Sequence, residues 1–473
     1  MSRGPALFWF RRDLRLADNR ALLEALESAG VSGVVPFFCA DETLLRGAGP
    51  TRVGFLAETL DSLDSLLGGA LVVRYGDPRV VLPALVKELG VTEVFATEEF
   101  TPAARDRDAR VAQLLGDVPL RLIDSPYIVR PGSVFSQSHE PYKVFTPFRR
   151  VWDTFEIPEP LAPPSTPQWV SASTESLARM VELAGRAWPE YFGDIVELAP
   201  APTPAAGERA AAQMLAEFAP RVDQYGTDRN IPSVPGTSQL SPHLRFGSIH
   251  PRQVVHSVLG DSDDRRVFVS EIAWREFYAD VLFHNPHSSY DVLQPTMNHL
   301  PVDTDAKARE RFRAWARGET GYPLVDAGMR QLLDTGWMHN RVRMVAASFL
   351  VKHLHLDWRW GAKWFMWRLL DGDVASNQHG WQWAAGTGTD AAPYHRVFNP
   401  TLQAERFDPD GAFVHQFIPE LSGVAAPQCL QPGGGDGLLA PPNYVRPIID
   451  AKTERDEALR RFALARETAA NRG

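Results

Sequence analysis

The chain holds two cysteines in 473 residues, Cys39 and Cys429, one in each half. That leaves no disulfide framework and no cysteine-built zinc site, and it points to a reducing cytoplasm. No run of about 18 apolar residues occurs, so no membrane span is expected. The N-terminal MSRGPALFWFRRDLRL passes from a short apolar run straight into charge, unlike a signal peptide. Neither GxGxxG nor GxxxxGKS/T follows any strand-like run, which excludes a dinucleotide fingerprint and a phosphate-binding P-loop. HExxH is missing and the histidines lack metal spacing, so a hydrolytic metal site is not expected. Basic charge is short too. A net charge of −9 excludes a uniformly basic nucleic-acid coat, yet one local groove remains open, because phosphate attraction acts over about a Debye length.

What is present suggests more than one domain, since single cores rarely exceed roughly 250–300 residues. Over residues 1–130, β-rich runs at Ala6–Phe10, Val34–Phe38, Leu71–Tyr75, Glu93–Ala96 and Arg121–Ile123 alternate with helical patterns at 18–29, 51–67, 78–89 and 102–115. Such alternation predicts an α/β domain with a five-stranded parallel, Rossmann-like sheet. Residues 131–206, with PEPLAPPSTPQW at 158–169 and LAPAPTPAAG at 198–207, read as a long connector on the surface. From 207 to 473 the pattern is all-α, with a flexible loop at Gly433–Gly437 and a charged helix near 450–468.

Aromatics are concentrated. Eight of the thirteen tryptophans fall between Trp315 and Trp383, among Arg, Asn and Asp. Indole N–H groups need partners, so this stretch reads as a site for a large planar cofactor with a one-electron path leading out; core packing accounts for part of it. In SEIAWREFYADVL at 270–282, helical spacing puts Glu271, Trp274, Arg275 and Tyr278 on one face. An aromatic plane beside an acceptor and a cation suits stacking on a base and bonding its edge; an amphipathic helix with an internal ion pair is the other reading. YGTDRNIPSVPGTSQLSPHLRFGSI at 225–249 has a Thr/Ser-rich turn opening a helix, either an anion site or an ordinary cap. Asn340 and Met344 lie four apart, flanked by Arg341 and Arg343, and Asp371, Asp373 and Asn377 follow. Carboxylates buried there need a cation, for which Arg343 is suited, whether in a cofactor site or a structural network.

Together LFWFRRDLRLADN at 7–19, GTSQLSP, EIAWREFY, GYPLVDAGMRQLLDTGWMHNRVRM and TGTDAAPYHRVFNP resemble, nearly end to end, the photolyase/cryptochrome family, and within it the class I cyclobutane pyrimidine dimer photolyases. The resemblance implies an antenna-bearing α/β domain and a C-terminal all-α domain that binds FAD. It implies a deoxyribodipyrimidine photo-lyase activity in which light-excited, fully reduced FAD lends an electron to a flipped-out dimer in UV-damaged DNA. Tyr225, Arg229, Thr237, Ser238, Leu240 and Ser241 would hold the FAD phosphates and adenine side. Arg275, Asn340, Arg343, Asp371, Asp373 and Asn377 would line flavin and cavity, with Asn377 at flavin N5. Glu271 would bond a thymine edge, Trp274 would stack on the dimer, and Asn340, Met344 and Trp383 would complete its pocket. Arg229, Glu271, Trp274, Arg275, Arg341, Arg343 and Arg396 would meet DNA. Asn377, Asn340 and Met344 resemble the repair enzymes more than the cryptochrome photoreceptors, which are the alternative. A cytoplasmic monomer without a membrane partner is expected.

Two departures stand out. Family members pass electrons to flavin through three tryptophans; Trp381 and Trp358 match two, but the third position falls near Asp305, and no tryptophan lies between Trp274 and Trp315. Trp360 is the candidate substitute. Folate-binding relatives carry an Asn-Glu pair in the loop after the fourth strand, where TEEFTPAARDRD has Ala103 and Ala104. With PTRVGFL at 50–56, this favours a deazaflavin antenna over methenyltetrahydrofolate, contacted near Arg52 and Glu99.

Overall fold

A computed structural model describes residues 4–193, 199–389, 396–434 and 441–471. Internal contacts divide the chain into two compact units: Met1–Val196, Thr203–Asp223 and Ser238–Pro286 form one, and Glu197–Pro202, Gln224–Thr237 and His287–Gly473 the other. The bounds expected from composition, at 130 and 206, fall inside the first unit rather than at its edges.

The first unit is built on five parallel strands, β1 (Ala6–Phe10), β2 (Val34–Ala40), β3 (Val72–Tyr75), β4 (Glu93–Ala96) and β5 (Leu120–Leu122), in the order β3-β2-β1-β4-β5. Every residue of β1, β2 and β4 is buried. These central strands are covered on both faces, hence the unbroken apolar runs of β1 and β2. Leu7, Trp9, Val35, Phe37, Cys39, Val72 and Val94 pack with Leu82, Leu85 and Val111 from the helices. Cys39 is thus a core residue, and both cysteines are free and buried.

β2 tolerates Pro36 for a local reason. The N–H and carbonyl of Val34 bond Gln168 O and Val170 N, each at 2.9 Å, while β3 begins only opposite Phe37. The Pro36 nitrogen faces the gap between those two partners, where no ladder donor is needed.

Of the helices between strands, Arg20–Ala29 begins after Asn19, whereas Pro50–Leu66, Pro78–Leu89 and Pro102–Leu114 carry proline at the first position, where a missing N–H costs nothing. Asn19, Asp77 and Thr101 cap theirs with a side-chain oxygen. The stretch expected to be an irregular connector contains an eight-residue helix, Phe145–Trp152. Pro147 sits in its first turn, where proline is tolerated. Its buried stripe of Phe145, Phe148 and Trp152 packs against the long Asp263–His284 helix of the same unit.

The second unit is helical, with Ala306–Arg317, Pro323–Thr335, Asn340–Lys352, Trp358–Arg368 and Val374–Ala385 in succession and Ala451–Ala470 near the end. Among the described residues no strand follows Leu122. Residues 435–437 of the Gly433–Gly437 stretch lie outside the described residues, as do 390–395 of the TGTDAAPYHRVFNP motif. Buried Asp326 accepts from Thr320 N and Oγ1, Gly321 N and Tyr444 Oη at 2.6–2.9 Å. The Asp of GYPLVD is therefore a structural anchor.

Candidate active site

In the first unit the Asp263–His284 helix presents Glu271, Trp274, Arg275 and Tyr278 half-buried along one face, and Ile272, Ala273, Glu276, Phe277 and Asp280 buried on the other. Two carboxylates absent from the sequence-based site hold it in place. Glu276 accepts from Ile128 N (2.5 Å), Val129 N (3.0 Å) and Trp152 Nε1 (2.7 Å). Burial pushes its pKa up against those bonds. One turn on, Asp280 accepts from Gly132 N at 2.7 Å, and burial pushes it up to about 6. The i, i+4 spacing was visible in the sequence, but nothing local told these carboxylates from surface ones.

Trp274 lies flat against Phe145, with ring centroids 3.8 Å apart and planes 12° from parallel. Phe277 meets it edge-on at 5.6 Å and Tyr278 obliquely at 5.5 Å. Arg275 donates to Pro126 O (3.0 Å) and Leu244 O (3.2 Å) and sits 4.4 Å over the Tyr127 ring, so part of its donor set serves the fold. Ser238 and Leu240 form a tight turn, Ser238 Oγ accepting from Leu240 N at 3.4 Å, with Gln239 in the left-handed region at φ 51°. Ser241 opens a helix of six residues, Ser241–Phe246.

At the carboxyl ends of β1 and β4, where the strand order reverses, doubly wound sheets usually take ligands. Here a buried polar network occupies that position. Arg11 Nη1 bonds both Asp108 oxygens at 2.7 Å and Nη2 bonds Thr97 O. Asp13 accepts from Arg11 N (2.7 Å) and Thr97 Oγ1 (2.6 Å). Glu99 Oε2 accepts from Arg107 at 2.7 Å and lies 3.7 Å from Arg11. Burial opposes its charge, but Arg107 and Arg11 prevail and hold its pKa down to about 2. Arg52 is half-buried in the first turn of the Pro50–Leu66 helix.

In the second unit Arg343 and Asp371 form a two-pronged pair at 3.1 and 2.8 Å, and Arg343 Nε donates to Met338 O at 2.7 Å. Asp373 caps the Val374–Ala385 helix through Ser376 N at 3.1 Å. The Nδ2 of Asn377 is used twice, on Ala362 O (3.1 Å) and Gln378 Oε1 (2.9 Å). Its Oδ1 takes no hydrogen bond from the described residues and is the acceptor left over. Asn340 is exposed, Met344 and Trp383 half-buried, and Asn340 Nδ2 lies 4.0 Å from Met344 Sδ. Arg341 donates to Asn230 Oδ1 at 2.6 Å and lies 4.5 Å over Phe407; Asn230 was not anticipated. Arg229 lies 5.3 Å over the Tyr225 ring, and exposed Arg396 lies 5.6 Å over Phe398. Thr237 is half-buried.

Trp381 is buried and meets Trp315 at 5.9 Å and Phe365 at 5.0 Å. Phe312 stacks on Trp315 at 5.8 Å and meets half-buried Trp360 edge-on at 5.6 Å. The indole N–H groups of buried Trp381 and Trp358 have no hydrogen-bond acceptor among the described residues. No His, Cys, Asp and Glu group there could hold a metal ion, and no described helix is long and apolar enough to cross a membrane.

A model of the FAD binding domain of DNA photolyase matches residues 268–464, and a DNA photolyase model matches residues 6–167. A protein of Halobacterium salinarum named deoxyribodipyrimidine photo-lyase is 39% identical over 97% of this chain and 99% of its own. The crystal structure of a bacterial class III photolyase from Agrobacterium tumefaciens matches with a TM-score of 0.87 at 36% identity, covering 99% of this chain and 98% of that one. A Synechocystis cryptochrome structure matches at 0.82 and 26% identity, covering 97% and 99%. The chain belongs to the DNA photolyase family.

Proposed function

We propose that the protein is a light-driven DNA repair enzyme that splits cyclobutane pyrimidine dimers with reduced FAD. Its likeness, over nearly the full length of both chains, to a protein named deoxyribodipyrimidine photo-lyase carries this conclusion. When bound, reduced FAD supplies light absorption and an electron that is lent and recovered.

The donor and acceptor set fits that cofactor. Asn377 keeps Oδ1 as an acceptor because its Nδ2 is committed to Ala362 O and Gln378 Oε1. Such an acceptor suits the N5–H of a reduced flavin better than the bare N5 of an oxidised one. Arg343 balances Asp371 through a fixed fork, giving a polar wall that need not reorganise. Tyr225, Arg229, Thr237, Ser238, Leu240 and Ser241 would hold the phosphate and adenine end. Arg275, Asn340 and Asp373 would complete the flavin surround.

On the substrate side Glu271 would hydrogen-bond a thymine edge and hold the dimer in register for electron transfer. Trp274 from the first unit, and Asn340, Met344 and Trp383 from the second, would each contact the extruded bases. Arg229, Arg275, Arg341, Arg343 and Arg396 would meet phosphates or the cavity rim, as cations of an otherwise acidic chain.

Trp381 and Trp358 would relay electrons to the cofactor, with Trp360 as the outer member. Ring contacts through Trp315 and Phe312 join Trp360 to Trp381. A buried indole without an acceptor cannot readily shed a proton when oxidised, whereas half-buried Trp360 has solvent beside it. A deazaflavin antenna near Arg52 and Glu99 is proposed for the α/β unit; Glu99 Oε1 takes no hydrogen bond from the described residues and could meet such a ligand. An absorption band at the folate position in the purified holoprotein would exclude it.

The likeness to a cryptochrome favours a second reading, a blue-light photoreceptor. Dark binding of FAD-loaded protein to an oligonucleotide with one dimer, against its undamaged twin, separates the two. Repair requires a clear preference for the dimer, and equal binding points to the photoreceptor.

A further inference from the structure

The Phe145–Trp152 helix meets the Asp263–His284 helix through a single stripe spaced three and four residues apart. Phe145 lies on Trp274 at 3.8 Å and 12°. Phe148 meets Phe277 at 5.1 Å, and Trp152 Nε1 donates to Glu276 at 2.7 Å. Three successive contacts therefore tie the short helix to the face behind Trp274, and Phe145 itself is 8% exposed. Stacking this close and this parallel fixes the indole plane, because any rotation of Trp274 about its side-chain bonds must break it.

We propose that Phe145 is a positioning residue for damage recognition: it covers one face of Trp274 and holds the indole so that only the opposite face is offered to the extruded bases. The inference rests on the reading of Trp274 as the stacking platform. Trp274 stays half-buried with Phe145 in place, so surface remains for a ligand. A platform already locked in its binding pose loses little side-chain freedom when the substrate arrives, which is where preorganisation gains affinity. A base seated on it would form the outer layer of a three-layer stack with Trp274 and Phe145.

The test is a double-mutant cycle on FAD-loaded, full-length protein, reading dark affinity for a dimer-bearing oligonucleotide relative to its undamaged twin. Phe145→Leu removes the flat partner at nearly constant volume, and Phe145→Met is read the same way if the leucine variant melts early. The preference for damage should fall about 2- to 10-fold, the range an aromatic pair supplies, with flavin content and affinity for undamaged DNA unchanged. Phe145→Tyr should retain the preference. In a Trp274→Ala background, Phe145→Leu should have no further effect. An unchanged preference in Phe145→Leu, or an equal loss in both backgrounds, overturns the inference and leaves the Trp274 platform standing. If Trp274→Ala alone leaves the preference intact, the platform falls and this inference with it.

Discussion

Gly361 is where the Trp358–Arg368 helix lets the Trp381 indole rest on its backbone. A Cβ at that position would lie 2.1 Å from Trp381 Cη2, 2.5 Å from Cζ3 and 2.7 Å from Cζ2. Gly361→Ala sets two effects against each other. Alanine is preferred over glycine inside a helix by about 1 kcal/mol. Carbon atoms pack at about 3.5–4.0 Å, so the indole must retreat by roughly 1.5 Å. Overpacking of that kind costs about 1–3 kcal/mol. The clash should win, leaving a net loss on the order of 1 kcal/mol and a fall in melting temperature of about 2–4 °C. The functional effect should be larger than the thermal one, because electron transfer falls steeply with distance and Trp381 is the first proposed step. Flash absorption on FAD-loaded protein should show slower, less complete photoreduction, while repair from chemically reduced flavin proceeds. A variant that melts higher and photoreduces at the original rate would refute the placement of Trp381 against Gly361.

Three further outcomes are expected. Asp280 has its pKa raised from 3.8 to about 6, so the folded protein binds the extra proton and stability falls as pH rises through that interval. Asp280→Asn keeps an acceptor for Gly132 N and should raise the melting temperature at about pH 8, by an amount equivalent to roughly 1–3 kcal/mol, with little change near pH 4; equal shifts at both would contradict it. Trp360→Phe should shorten the radical lifetime or lower its yield in transient absorption, and unchanged traces eliminate Trp360 as the outer relay. Glu271→Ala should lower repair per absorbed photon by about tenfold or more, the size of one lost hydrogen bond to a charged group, with FAD content intact; parallel loss of flavin would recast Glu271 as structural.

The sheet was legible because the strands are short, β-rich and largely apolar, with a helical pattern beside each. Ala6–Phe10 and Glu93–Ala96 were read to the residue, while β2 runs on to Ala40 and β5 starts one residue early at Leu120. Trp364 and Trp367, from the tryptophan-dense stretch, are buried, in keeping with the share of it that core packing explains. The Phe145–Trp152 helix was not seen, because two turns are too short to establish a period and its meaning lies in contacts some 125 to 130 positions away. Glu276 and Asp280 were missed for the same reason, since their partners at 128–132 are remote in sequence. The Arg343–Asp371 pair was anticipated, because a buried carboxylate demands a cation and the choice nearby was small. The role of Asn377 at flavin N5 came from family likeness alone; its committed Nδ2 and spare Oδ1 are properties of the folded helices.

The most direct measurement is the count of cyclobutane dimers in an irradiated oligonucleotide incubated anaerobically with reduced, FAD-loaded protein, under blue light and in the dark. Light-driven repair predicts loss of more than one dimer per protein molecule in the light and none in the dark. Dimers that persist under illumination, with flavin bound and reduced throughout, would contradict it.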